Sequence, residues 1–238
     1  MRLTPRLEKI ASLVDNKVKL ADIGTDHGYI PVSLLLKNTI EYAILSDINK
    51  GPLENARKEV TSLNLDAKVD LRLGSGLEIL EDGEVDQIII AGMGGILISE
   101  LIENKKELCK KLSKMILQPM QAQDELRKYL EENKFRIIDE HMVSEDFRIY
   151  EILEVVYDPE YEYQKLDSIY YEVSKILLDK KEPLLIKLIE KKIYECNSII
   201  EKLTNNENID LEKISNRLDF IKIRKNKLDK LKKLVANE

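Results

Sequence analysis

Lys19-Leu20-Ala21-Asp22-Ile23-Gly24-Thr25-Asp26-His27-Gly28-Tyr29-Ile30-Pro31 decides how this chain folds. A short apolar run ends in an acid, two glycines bracket a turn, and a second apolar segment, Ile30 to Leu36, follows. That is the layout of a first strand, a ligand-binding turn and a first helix in a nucleotide-type α/β domain. An acid at a strand end beside glycine backbone suits a cationic or hydroxyl-rich ligand. The loop departs from the dinucleotide fingerprint G-x-G-x-x-G, which would put a glycine where Asp26 stands.

The flanking segments extend the pattern. Upstream, Thr4-Pro5 opens a helix with a capping hydroxyl and a proline at the first helical position, and Leu7, Ile10, Ala11 and Val14 form its apolar stripe. Downstream, Glu41 to Ile48 predicts a second strand with Asp47 near its end. Gly51-Pro52 breaks the chain, and Pro52 to Leu63 reads as a helix. Lys68 to Leu73 predicts a third strand, followed by the turn Gly74-Ser75-Gly76. Val85 to Ala91 is the most apolar strand, as expected for one buried on both faces of a parallel sheet. It runs into Gly92-Met93-Gly94-Gly95, with a helix from Ile96. Lys114 to Gln118 makes a fifth strand stopped by Pro119, and Asp124 to Glu132 a helix. Phe135 to Val143 and Arg148 to Tyr157 make a hairpin turned through Ser144-Glu145-Asp146. The sum is a seven-stranded doubly wound α/β sheet.

Asp158-Pro159-Glu160 marks a boundary, giving domains at 1–160 and 161–238. Beyond it glycine disappears and Lys, Glu, Ile and Leu dominate. Leu185, Ile189, Lys192, Cys196, Ile199 and Leu203 follow three-four spacing; the pattern resumes from Leu211 to Val235 after a polar turn at Thr204 to Asn208. This predicts an antiparallel coiled-coil hairpin, with Lys225 and Lys232 interrupting its apolar seam. The formal net charge of −6 conceals an asymmetry: residues 213–233 hold nine basic and two acidic groups. A basic tail on an acidic body points to a polyanionic partner. No stretch approaches the length of a membrane span, the N-terminus has no signal-peptide core, and Cys109 and Cys196 form no C-x-x-C pair. A cytoplasmic protein without metal, disulfide or membrane partner is the expectation.

Three loops at strand carboxyl ends agree on one site. Asp47 is placed to accept hydrogen bonds from both ribose hydroxyls of an adenosine cofactor, Ser75 to reach an adenine edge, and the Gly92 loop to line the same crevice. The strand-four loop, Ala91-Gly92-Met93-Gly94-Gly95, has no Asn/Asp-Pro-Pro-Tyr/Phe clamp for an exocyclic amine, so a methyltransferase of this kind would act on a ring nitrogen. A nicotinamide-dependent oxidoreductase and a non-catalytic RNA-binding or scaffold protein stay open as alternatives at this point.

The blocks Asp22 to Pro31, Gly51-Pro52, Arg72-Leu73-x-x-Gly76-Leu77, Ile90 to Gly95 and Ile116-Leu117-Gln118-Pro119, with Tyr150-Glu151-Ile152, resemble the TrmK family of bacterial tRNA adenine-N1 methyltransferases acting at position 22 of the D-arm. The resemblance implies a Rossmann-like class I methyltransferase domain with a C-terminal α-helical coiled-coil hairpin, S-adenosylmethionine as cofactor, and tRNA as partner of a monomer or weak dimer. Carried over, Asp22, Gly24, Asp26, His27 and Gly28 shape the methionine end of the cofactor site. Asp47 takes the ribose, Ser75 the adenine edge, and Gly92, Met93 and Gly94 the floor beside the methyl group; Ile48, Gly76 and Ala91 are further cofactor-binding candidates. Asp26, Tyr29 and His27 are the candidate catalytic residues. Gln118 is the candidate base contact, and Arg2, Arg6, Lys222, Arg224, Lys225 and Lys227 are candidate tRNA contacts. Two positions depart from the family pattern: Ser75, where Asn or Asp is usual, and Met120, where Asn usually follows Gln-Pro.

Overall fold

The computed structural model describes residues 2–205 and 211–236. The chain divides into two compact units, Met1–Gln164 and Lys165–Glu238. The first is built on seven strands: β1 (Lys19–Ile23), β2 (Tyr42–Asp47), β3 (Val69–Leu73), β4 (Gln87–Met93), β5 (Lys114–Pro119), β6 (Phe135–Glu145) and β7 (Arg148–Tyr157). Their order is β3-β2-β1-β4-β5-β7-β6. The first five are parallel, and β7 enters antiparallel between β5 and β6. Six helices flank them: α1 (Pro5–Ser12), α2 (Tyr29–Leu36), α3 (Lys50–Ser62), α4 (Gly95–Asn104), α5 (Lys106–Cys109) and α6 (Gln123–Glu132).

The apolar run of β4 explains the layering. Ile88, Ile89 and Ile90 are all fully buried, which requires cover on both faces of the strand. β5 beside it is buried along its whole length. Polar and glycine residues are thereby displaced to the strand ends. β4 runs two residues further than its apolar stretch, to Met93, through an irregularity at Gly92, which takes the left-handed φ of +83°. α4 then starts against backbone. A β-carbon on Gly95 would stand 2.1 Å from the Ala122 carbonyl oxygen, so only glycine permits this approach. β6 also runs beyond the expected Val143, to Glu145, and the hairpin turns through Asp146 and Phe147 instead of Ser144 to Asp146.

One ionic cluster ties α6 to this hairpin. The Arg127 guanidinium, almost wholly buried, donates to Glu140 and to Glu151 at 2.6 Å each. Partner removal at such a site strands a buried charge.

The second unit contains α7 (Ile169–Glu172), α8 (Lys175–Asp179), α9 (Leu185–Thr204) and α10 (Leu211–Ala236). The last two pack antiparallel, since Glu190 pairs with Lys232 at 2.8 Å while Cys196 lies 3.6 Å from Arg224. Leu185, Ile189, Cys196, Ile221 and Leu228 are buried along the pair, and Leu231 is buried where the seam pattern placed Lys232. Of the expected turn at Thr204 to Asn208, residues 206–208 lie outside the described residues. Both cysteines are free and buried.

Arg127→Met is expected to destabilise the protein by about 3–5 kcal/mol, the usual cost of unpairing a buried ion cluster. Urea unfolding followed by circular dichroism measures it; a loss under 1 kcal/mol would show that the two carboxylates accept protons or water at little cost.

Candidate active site

Two cavities open along the carboxyl edge of the parallel strands, where open α/β sheets bind ligands. One, of about 440 Å³, lies between α1 and the β1–α2 loop, with Arg6, Asp22, Asp26 and Tyr29 in its wall. The other, of about 340 Å³, lies over the ends of β2 and β3, with Asp47, Ile48, Ser75 and Gly76 in its wall. Gly24, Ala91 and Gly92 line both, so the two form a continuous trough in this respect. No heavy atom lies within 4 Å of where a Gly92 side chain would stand. Among the described residues, two buried side-chain polar atoms lack a partner, Arg6 Nε and Ser46 Oγ, and each belongs to a residue lining one of these cavities. Buried polar groups are nearly always satisfied, so orphans gathered here mark a ligand site.

The β1–α2 loop is held open by its backbone. Gly24, His27 and Gly28 all take left-handed φ values, +74°, +60° and +69°. Leu45 Cδ2 would lie 2.5 Å from a β-carbon on Gly28, so a side chain there would force Leu45 to move as well as strain the left-handed backbone. Gly24 and Thr25 donate their N–H groups to the Ser46 carbonyl, fastening the loop to β2. The Thr25 hydroxyl donates to Asp22 at 2.6 Å. Burial pushes the Asp22 carboxyl up to about 6; the Thr25 bond opposes that shift and the charge of Asp26 adds to it. Asp26 projects into solvent at the mouth, its side chain 84% accessible. His27 stands 3.5 Å from the Asp26 carboxylate and stacks in parallel on Tyr29, ring centroids 5.0 Å apart. His27 itself is not among the residues of the cavity wall; it backs the two that are.

In the second cavity the Asp47 carboxylate accepts the Asn49 N–H at 2.7 Å and remains exposed to the trough. Ile48 is 67% exposed there, an apolar side chain left in water next to the polar Ser75. Met93 and the α4 residues Leu97 and Leu101 supply the facing apolar wall. Gly94 begins α4 as its N-cap.

Arg6 is held from three directions. Its backbone N–H donates to Glu145 at 2.8 Å, its Nη1 donates to Gln118 Oε1 at 2.8 Å, and its guanidinium lies over the Tyr150 ring at 5.2 Å. Burial alone would raise the Glu145 carboxyl, but the Thr4 hydroxyl and the Arg6 N–H hold it below its ordinary range. The first helix is thus clasped by the last hairpin.

Gln118 departs from its expected role. It is fully buried, its carbonyl taken by Arg6 and its amide donating to the Pro119 carbonyl, so it supports Arg6 and does not meet a base. The basic tail also divides. Arg224 is half-buried and forked onto Glu172, an internal strut of the second unit. Lys225 pairs with Asp229 at 3.1 Å and Lys227 with Asp167 at 2.7 Å. Lys222 and Arg2 are exposed. Sequence reading missed Thr4, Leu7, Ser46, Glu145 and Leu97 as parts of the site. Thr4 carried a helix-capping signal that also served the cavity; the others carried no signal apart from the fold. Among the described residues, the one group spaced to hold a metal ion, Asp139, His141 and Glu154, stands near the start of β5 at the opposite edge of the sheet, where Lys114 already pairs with Glu154 at 2.9 Å.

The sheet order and trough define the class: the methyltransferase domain family matches residues 3–153. Within that class, the Bacillus subtilis tRNA (adenine(22)-N(1))-methyltransferase is 30% identical over 229 residues, 93% of this chain and 96% of that protein. The crystal structure of B. subtilis TrmK matches with a TM-score of 0.86 at 31% identity, covering 97% of this chain and 99% of that one. M. capricolum TrmK, solved with S-adenosyl-homocysteine, matches with a TM-score of 0.82 at 27% identity, covering 99% and 100%. This chain belongs to the TrmK family.

Because the folded state holds the Asp22 proton more tightly than an unfolded carboxyl does, the stability it contributes is complete below about pH 3.8 and lost as pH rises through about 6. The ligand-free Asp22→Asn protein is therefore expected to gain more in melting temperature at pH 8 than at pH 4.5, relative to wild type. Calorimetry at both values tests this; a variant less stable than wild type at pH 8 contradicts it.

Proposed function

We propose that this protein transfers a methyl group from S-adenosylmethionine to N1 of adenine 22 in the D-arm of tRNA. The observation that carries the reading is the two-part trough: a ribose-and-adenine half at Asp47, Ile48 and Ser75 joined at Gly24 and Gly92 to a second half at Asp22, Asp26 and Tyr29. Near-full-length similarity to a tRNA (adenine(22)-N(1))-methyltransferase supports the same substrate.

The residues present fit the cofactor. Asp47 would accept the ribose hydroxyls, Ile48 with Leu97 and Leu101 would cover the adenine faces, and Ser75 with Gly76 would meet its edge. The unpartnered Ser46 hydroxyl supplies a further polar contact. Asp22, Gly24, Asp26, His27 and Gly28 would shape the methionine end, over a floor of Ala91, Gly92, Met93 and Gly94. When bound, S-adenosylmethionine supplies an electrophilic methyl group on a sulfonium.

Adenine N1 has a free in-plane lone pair at neutral pH, so no general base is needed. The protein has to admit an extruded base, exclude water from N1 and align it. Asp26 accepts a hydrogen bond from the exocyclic amine and stabilises the positive charge that the ring gains. Tyr29, backed by His27, packs on the base, and Arg6 closes the mouth on the α1 side. Residues 1–160 act as the methyltransferase domain. Residues 161–238, with α9 and α10 as a coiled-coil hairpin, add a salt-sensitive grip on phosphates in which Lys222, Lys225 and Lys227 take part, and Arg2 of the first domain is a separate phosphate contact. Arg224 is left out of that set because its pair with Glu172 is largely buried, whereas the Lys225–Asp229 and Lys227–Asp167 pairs are solvent-exposed and cost little to open. The reading is of a cytoplasmic enzyme, monomeric or weakly dimeric; no helix among the described residues is long and apolar enough to cross a membrane.

Methyl transfer to an unmodified tRNA transcript, followed by nucleoside mass spectrometry, should yield N1-methyladenosine, and an A22→G transcript should yield none. Product that survives the A22→G change, or no product at all, would sink the proposal. Asp26→Asn should lower kcat about tenfold or more. Cofactor affinity should weaken as pH falls through about 6, where Asp22 takes up its proton, and titration calorimetry from pH 8 to 5 should show that slope vanish in Asp22→Asn.

A further inference from the structure

Phe147 has a relative accessibility of 105%, the highest of the large hydrophobic side chains among the described residues. Glu145 and Arg148 are register partners, so Asp146 and Phe147 form a two-residue hairpin loop. Such loops favour Asn, Asp and Gly for their left-handed backbone. Asp146 meets that demand with a φ of +53°, whereas phenylalanine serves neither the turn nor any core. Its place in the fold is specific. β7 runs antiparallel to β5, so the hairpin tip projects from the carboxyl edge of the parallel strands, where the trough opens. Glu145, on one side of the loop, holds the Arg6 N–H; Tyr150, on the other, lies under the Arg6 guanidinium. Arg6 lines the same cavity as Asp26 and Tyr29. Two residues span about 7 Å at most, which keeps Phe147 close to that clasp. Arg148 beside it is also exposed.

We propose that Phe147 is an RNA-stacking residue. Its ring packs on a nucleobase adjoining the adenosine drawn into the cavity, and Arg148 meets the neighbouring phosphate. An extruded base leaves its neighbour with one uncovered face, and an aromatic ring on a short, rigid turn covers it at small entropic cost. This rests on the methyltransferase reading and adds a contact outside the trough.

The test uses full-length F147A, F147L and F147W with tRNA transcripts, one of them carrying 2-aminopurine next to position 22. F147A should lower kcat/KM for tRNA about tenfold, mainly through KM, in keeping with the loss of one base–aromatic stack. F147W should stay near wild type and F147L should behave like F147A. S-adenosyl-homocysteine affinity should be unchanged in all three, since Phe147 lines neither cavity. Wild type and F147W should quench 2-aminopurine fluorescence on binding, and F147A should not. Activity and quenching in F147A equal to wild type overturn the proposal, as does full rescue by leucine, which would mark a plain apolar contact, including one to a protein. Absence of methyl transfer by wild type defeats the parent reading alone, and the quenching series then decides the stacking contact by itself.

Discussion

Burial of the central strands on both faces governs where everything else in the first unit can go. A strand such as Ile88-Ile89-Ile90 tolerates no charged side chain along its length, because an unpaired charge there would cost several kcal/mol. Along β1, β4 and β5 the chain therefore turns polar only near the strand ends. Asp22, Asp47, Gly92 and Gln118 all stand in the last residues of their strands, on one edge of the sheet. The trough is the consequence of that displacement. Left-handed backbone at Gly24, His27 and Gly28 then keeps the first loop from collapsing into it.

Much of this was legible before any coordinates. Asp47, Ser75 and the Gly92 loop were readable because strand-end loops of a parallel sheet converge whatever their intervening lengths. The end of β6 was read two residues short because Ser, Glu and Asp look like turn formers, while register is fixed by cross-strand pairing that local composition does not encode. Gln118 was legible as a polar residue at the right strand end, but its partner, Arg6, is 112 positions away. Residue type and spacing identify candidates for a polar edge; they do not say which will be consumed by one another.

The tail shows the same limit in electrostatic form. Counting residues 213–233 gives a strongly basic segment, yet Asp167, Glu172, Glu190 and Asp229 each hold one of its cations. Three of those acids lie outside the counted segment. What an RNA backbone would meet is the remainder after internal pairing, spread along one helix and sensitive to salt. Arg224, with its planar fork matched to a carboxylate, is used to build the unit, and compact lysines are left for the surface.

The clasp of α1 by Glu145 joins residues 139 positions apart. Synthesis delivers Arg6 first and Glu145 only after most of the domain has emerged. Until then the first helix has neither its carboxylate partner nor the Tyr150 ring beneath its arginine, and the mouth of the trough has one missing wall. Completion of the site is thereby tied to completion of the sheet: a nascent chain that has already paired β1 with β2 still lacks the contacts that hold Arg6 in the cavity wall. A truncated product ending before the hairpin would keep the acid-and-glycine loops of a cofactor domain while lacking the wall that Glu145 and Tyr150 complete around Arg6.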